Sequence, residues 1–125
     1  MIKFRKNIWE FANPNNFLSI ANKIIPFFLI LTIITLSLGL VWGLFFTPED
    51  YRQGSSVKII FIHVPTAFLA INIYFMMLLA SIIWLIRRHH VSLIAAKSAA
   101  LIGLIMTLSA MLTGAIWGKP IWGTY

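Results

Sequence analysis

The sequence predicts an all-α polytopic membrane protein with three transmembrane helices, its N-terminus inside and its C-terminus outside. Composition is the first reason. Hydrophobic residues make up 60% of the 125 positions and charged residues 10%, with a mean hydropathy of +0.90. A soluble domain is about half apolar and about a quarter charged, so this chain has more apolar surface than a water-soluble core can absorb. The second reason is arrangement. The apolar residues fall into three long runs, and the basic residues sit at their ends. These features exclude a water-soluble globular enzyme and a disordered chain, which needs low hydrophobicity.

Residues 1–23 form a basic, partly amphipathic tail that is expected to be cytoplasmic. Lys3, Arg5, Lys6 and Lys23 alternate with Phe4, Ile8, Trp9, Phe11 and Phe17. Asn13-Pro14-Asn15-Asn16 is expected to break any helix there. The segment before it is read as either a surface-lying amphipathic stretch, with Trp9 and Phe11 in the interface, or a frayed tail. The membrane domain follows over residues 24–125. Its first helix, about 24–46, carries no charge and is long enough to span a hydrocarbon core of about 30 Å. Pro26 falls in its expected first turn, where a missing N–H costs little. Gly39 and Gly43 form a GxxxG pair that permits close helix packing.

Thr47 to Ser56 is a loop by composition. The second helix, about 59–86, is longer than a perpendicular span needs. The segment before Pro65 is expected to be irregular or surface-lying, with the span proper following. The third helix, about 98–117, is rich in Ala, Gly, Ser and Thr, which suits helix packing, and Gly118-Lys119-Pro120 is expected to stop it. A Trp-rich segment, 117–125, closes the chain.

Ten Lys and Arg against three Asp and Glu give a net charge of +7. In a soluble protein this would suggest nucleic-acid binding. Here it sets orientation in a membrane, and no nucleic-acid partner is expected. The tail and the 87–97 connection carry the basic excess and are placed in the cytoplasm. The 47–58 loop then lies outside, on the same side as His63 and the Trp-rich segment.

His63 is ionisable and lies close to a membrane boundary. Its neutral imidazole is either a metal ligand or an interfacial hydrogen-bonding group. Trp117-Gly118-Lys119-Pro120-Ile121-Trp122-Gly123 places two Trp around an expected Gly/Pro bend. The glycines would admit a flat ligand, the indoles would stack on it, and Lys119 could pair with a carboxylate. The plainer alternative is an aromatic belt at the interface. Trp42 and Trp84 fit belt positions, and His89 and His90 follow two Arg in a headgroup-facing cluster. Asn72 is expected to hydrogen-bond across helices. The sequence has no Cys, which removes disulfides, thiolate metal sites and cofactor attachment through Cys-x-x-Cys-His. It shows no Ser/His/Asp set and no Walker loop, so no enzymatic chemistry is expected.

Two stretches together resemble a known family. Phe61-Ile62-His63-Val64-Pro65 is similar to the outer-side histidine segment of the haem exporter protein C family of cytochrome c maturation. Gly114 to Thr124 is similar to the start of its Trp-rich (WWD) signature. The resemblance covers essentially the whole chain. It implies half of a six-helix fold in a bacterial inner (plasma) membrane, handling noncovalent haem b at the outer face. His63 maps to an axial haem-iron ligand, and Trp117, Gly118, Trp122 and Gly123 map to the haem platform. The implied partners are a periplasmic haem chaperone, the A and B subunits and small D subunit of an ABC transporter, and membrane lipid. From charge and side alone, Lys119, Arg52 or Lys58 could meet the haem propionates. The family pattern continues beyond Tyr125 to further Trp residues, an Asp, three more helices and a second histidine, so the chain is expected to be an N-terminal fragment. A haem-free structural subunit and a nonfunctional remnant are the alternatives.

Overall fold

Three long helices dominate the computed structural model, which describes residues 13–123. The expected surface-lying segment with Trp9 and Phe11, and Thr124 and Tyr125 of the Trp-rich tail, lie outside the described residues. Helix α1 runs Pro14–Val41 and continues as a π-helical turn, Trp42–Phe46. A loop leads to a 3₁₀ turn, Ser55–Ile59, which feeds α2, Ile60–Arg87. Helix α3 runs His90–Trp122. Each of the three spans, α1 with its π-helical turn, α2 with its 3₁₀ turn and α3 by itself, is 33 residues long and apolar enough to cross a membrane. Among the described residues there is no strand, only an isolated bridge between Asp50 and Gly54.

Helix α2 lies within one residue of its expected bounds, whereas α1 begins ten residues early and α3 extends at both ends, for local reasons. Asn13-Pro14 starts a helix instead of breaking one. The Asn13 side chain accepts from the Asn15 N–H at 3.0 Å, and Pro14 occupies the first turn, where its missing N–H would have had no partner. Pro26 therefore lies inside α1 and not in its first turn. The segment before Pro65 is helical, not irregular. The 3₁₀ turn leads straight into α2, and the Thr66 hydroxyl donates to the carbonyls of Ile62 (2.8 Å) and His63 (2.9 Å). Pro120 does not stop α3. The helix continues to Trp122 and ends at Gly123, whose φ of 75° suits a residue without Cβ. The common physical reason is the solvent. In hydrocarbon an unpaired backbone group has no water to turn to, so helices persist through isolated prolines.

The expected 87–97 connection shrinks to Arg88 and His89. Arg88 takes the left-handed conformation at φ 52° and its N–H donates to the Trp84 carbonyl at 2.8 Å. Its guanidinium lies over the Trp84 ring, 4.7 Å from the centroid. This closes α2 and α3 into a tight antiparallel hairpin.

The hairpin carries most of the packing between elements. In lipid, helices associate through close fit, not through expulsion of apolar surface from water, and small residues supply that fit. Ala70 on α2 and Ser92, Gly103 and Gly118 on α3 are buried. A Cβ on Gly103 would stand 3.0 Å from Ile73 Cγ2. Helix α1 rests on this hairpin mainly at its ends. At the loop end Gly43 is buried against the Phe61 ring. At the other end Phe17 and Leu18 face Val91 and Ile94 across a hollow. Of the GxxxG pair only Gly43 makes a close contact; Gly39 faces open space. Asn72 donates to the Phe68 carbonyl of its own helix at 2.8 Å, not across to a neighbour. The side chains along α1 are exposed, as lipid-facing residues would be.

Candidate functional site

The hairpin brings His63, in the second turn of α2, against the last turns of α3. Residues 110, 113, 114 and 117 of α3 share one face by helical spacing, and this face meets the imidazole. His63 Nδ1 lies 3.0 Å from the Ala110 carbonyl oxygen and 3.2 Å from Thr113 Oγ1. A carbonyl can only accept, so Nδ1 carries the proton and donates. The Thr113 hydroxyl proton is committed to the Ser109 carbonyl at 2.6 Å, so its oxygen is left to share the imidazole N–H. The network therefore places a proton on Nδ1. Nε2 makes no hydrogen bond among the described residues.

Gly114 makes this approach possible. A Cβ there would stand 2.8 Å from His63 Cε1 and 3.3 Å from Nδ1. Trp117 lies one turn further on. Its ring centroid is 5.6 Å from that of His63, at an interplanar angle of 51°. Its indole N–H donates to Gln53 Oε1 at 2.8 Å, which ties α3 to the 47–54 loop. The loop is itself braced. Asp50 Oδ1 accepts from the N–H groups of Arg52 (2.8 Å) and Gln53 (2.9 Å), and the Ser55 hydroxyl donates to the Glu49 carboxylate.

Each residue singled out from sequence has a definite place. His63 and Trp117 are in contact and half-buried. Gly118 is buried inside α3 and Gly123 caps it, so neither lies in the bend expected of this segment. Trp122 is 71% exposed, yet it borders the same groove as His63 and Trp117. Lys119 is exposed in the last turn of α3. Arg52 lies in the loop with its guanidinium 5.3 Å from the Tyr51 ring centroid, and Lys58 lies near the end of the 3₁₀ turn. All three cations lie at the loop end of the helices. Trp84 and His89–His90 lie at the opposite, hairpin end.

Gln53, Asp50, Gly114 and Thr113 escaped the sequence reading as site residues. Gly114 and Thr113 had a usable signal, since they stand three and four residues before Trp117 and so share its face of α3. Gln53 had none, because its partner is 64 residues away.

The groove bordered by His63 has a volume of about 490 Å³. It runs between α2 and α3, past Ala67 and Ala70 on one side and Ala110 and Thr107 on the other. An imidazole anchored through Nδ1, two indoles and a wall of small residues are groups that can hold a flat, apolar, metal-bearing ligand when the imidazole is neutral.

The family model described as Heme exporter protein C matches residues 7–125. A protein of that name from Rhodobacter capsulatus is 57% identical over 119 residues, covering 95% of this chain and 49% of the relative. Its counterpart from Paracoccus denitrificans is 58% identical over 119 residues, with the same coverage. The Escherichia coli protein is 38% identical over 120 residues, 96% of this chain and 49% of the relative. The chain thus spans about half the length of the curated relatives it matches. Taken with its three apolar spans, it is a multi-pass membrane protein.

Proposed function

We infer the function from one premise, that the chain belongs to the Heme exporter protein C family. The protein binds haem b noncovalently at the loop end of the α2–α3 hairpin and presents it for export in the biogenesis of c-type cytochromes. The observation that carries this reading is the lock on His63. Donation from Nδ1 to the Ala110 carbonyl leaves Nε2 as the only free ligating atom of the ring. A hydrogen bond on the far nitrogen also raises the basicity of the ligating one.

Haem is the cargo, and the residues divide its handling. His63 supplies an axial imidazole. Trp117 shields the face next to it and is held in place by Gln53. Trp122 lies further along the same wall, and Gly118 and Gly123 shape the end of α3 that carries both indoles. Lys119, Arg52 and Lys58 lie at the end where carboxylates projecting from the membrane would meet a cation. No covalent chemistry is assigned to these residues.

The basic groups at the hairpin end, among them Arg87 and Arg88, support a cytoplasmic placement for that end. The haem site then lies on the outer side of a bacterial inner membrane. From there the natural recipient is a periplasmic haem chaperone, with the A, B and D subunits of the maturation transporter as neighbours in the membrane.

The test is an absorbance spectrum of the purified protein from haem-replete cells, beside His63→Ala. The expected result is a Soret band that weakens or shifts in the variant. Equal occupancy and an unchanged band in both would overturn the reading.

A further inference from the structure

At the end of the molecule opposite the loop, helix α1 stands off the α2–α3 hairpin. Pro14, Phe17 and Leu18 on α1 face Val91, Ile94 and Ala95 on α3 across a hollow of about 310 Å³. Phe17 also borders a second hollow, of about 530 Å³, that runs along α1 past Ala21, Ile24 and Phe28 to Thr32. Thr32 lies fifteen residues beyond Phe17, about 22 Å at 1.5 Å per residue. One leaflet supplies about 15 Å of hydrocarbon, so the cleft reaches from the membrane surface to the depth where acyl chains end. Its walls are apolar except for Ser98 and Thr32. Such walls forfeit dispersion contacts unless something fills the space between them.

The mouth of this cleft is basic. Val91 follows directly on Arg87-Arg88-His89-His90, where α2 meets α3. His90 and Lys97, seven residues apart, share one flank of α3, beside the face of Val91, Ile94 and Ala95 that lines the hollow. Both are exposed, as is Arg87. Lys97 lies two turns into α3, and its long stem lets the ammonium reach back toward the surface. Among the described residues no carboxylate lies at this end; Glu49 and Asp50 are in the loop at the other. We propose that the cleft between α1 and α3 holds one anionic phospholipid, its phosphate met by His90 and Lys97 with Arg87 at the turn, and one acyl chain lying along α1 between Phe17 and Thr32. Orientation in the membrane needs the basic charge but no cleft. A neutral helix would fill the cleft and leave the charge idle, and a zwitterionic lipid brings its own cation beside its phosphate. An anionic phospholipid uses both features. The site lies at the far end of the helices from His63 and does not rest on the haem reading.

The probes are phosphatidylglycerol and phosphatidylcholine carrying the same mid-chain diazirine, each at trace level in nanodiscs of unlabelled phosphatidylcholine that hold the protein. After illumination the cross-linked residues are mapped by peptide mass spectrometry. The phosphatidylglycerol probe is expected to label residues 17–32 of α1 and 91–98 of α3 about fivefold more than the phosphatidylcholine probe, the ratio that one basic group near an anionic lipid supplies. Lys97→Gln is expected to bring the two probes close to parity. Lys23→Gln removes the same charge from the face of α1 turned away from the cleft, and is expected to leave the preference in place. Equal labelling by the two probes in the parent protein would overturn the proposal without recourse to any variant. So would a preference that Lys23→Gln removes as fully as Lys97→Gln, which is the pull of net charge alone. Labelling spread evenly over all three helices, or none in the cleft because protein closes it, would overturn the seat.

Discussion

Replacing Gly114 by Ala adds one methyl group at the most crowded point of the site. The new Cβ would sit 2.8 Å from His63 Cε1, where ordinary contact begins at 3.4 Å. The neighbour is an imidazole already held by its own hydrogen bond, not the free end of a flexible chain. To restore contact the ring must retreat by about 0.6 Å, or the helices must part by as much. A retreat of that size stretches the 3.0 Å bond from Nδ1 to the Ala110 carbonyl to about 3.6 Å, outside hydrogen-bond range. Overpacking of this kind costs about 1–3 kcal/mol, and the lost hydrogen bond is worth about 1 kcal/mol. If about 1.4 kcal/mol of that falls on ligand binding, affinity drops about tenfold. The assay is a haem titration followed at the Soret band in nanodiscs, with thermal unfolding measured on the same sample. Gly114→Ala is expected to weaken haem binding about tenfold and to lower Tm. Parent-like affinity together with parent-like Tm would refute the claim that this glycine sets the position of the imidazole.

Gln53→Leu removes the acceptor of the Trp117 indole N–H and is expected to cost about 1 kcal/mol of stability, read as a lower Tm, and to weaken haem binding through a looser Trp117. Gly43→Ala would bring a Cβ to 2.5 Å from the Phe61 ring, so α1 should detach at the loop end; cross-linking between cysteines introduced on α1 and α2 is expected to fall, while the His63 site keeps its spectrum. Arg88→Gly relieves a left-handed backbone of about 1 kcal/mol and gives up a cation–π contact of about 0.5–1 kcal/mol, so Tm should hardly change. Arg88→Val keeps the backbone cost, loses the contact and is expected to lower Tm.

Three spans were legible because twenty or so uncharged apolar residues admit few other readings. The start of α1 and both ends of α3 were not, and the reason is specific. Asn13-Pro14 and Gly118-Lys119-Pro120 are breakers in water, where a freed backbone group can bind solvent. At a membrane the same residues cap a helix or ride within it. His63 and Trp117 stood out as individuals, a histidine because it is costly near a lipid boundary and a tryptophan because it sits in a Gly- and Pro-containing aromatic segment. Their contact was foreseeable only as a shared side of the membrane. The parts that make the site work are less conspicuous: a backbone carbonyl at Ala110, a missing Cβ at Gly114, and an amide at Gln53. None has a residue-type signature, and all depend on which faces of α2 and α3 meet. Asn72 shows the converse, since a polar residue in mid-span suggested a cross-helix bond and instead returns to its own backbone.

The two-residue link at Arg88–His89 has a mechanical meaning. His63 lies 24 residues along α2 from Arg87, an arm of about 36 Å. Over that arm a change of one degree in the opening of the hairpin moves the imidazole by about 0.6 Å relative to α3, the same displacement that breaks its bond to Ala110. The far end of the molecule is thus a fulcrum, and the site is its pointer. Ala70, Gly103 and the Ile73 contact, partway along, act as the stops that keep the angle from drifting. A force applied at the arginine-rich turn would be carried along that arm to the His63 end of the hairpin.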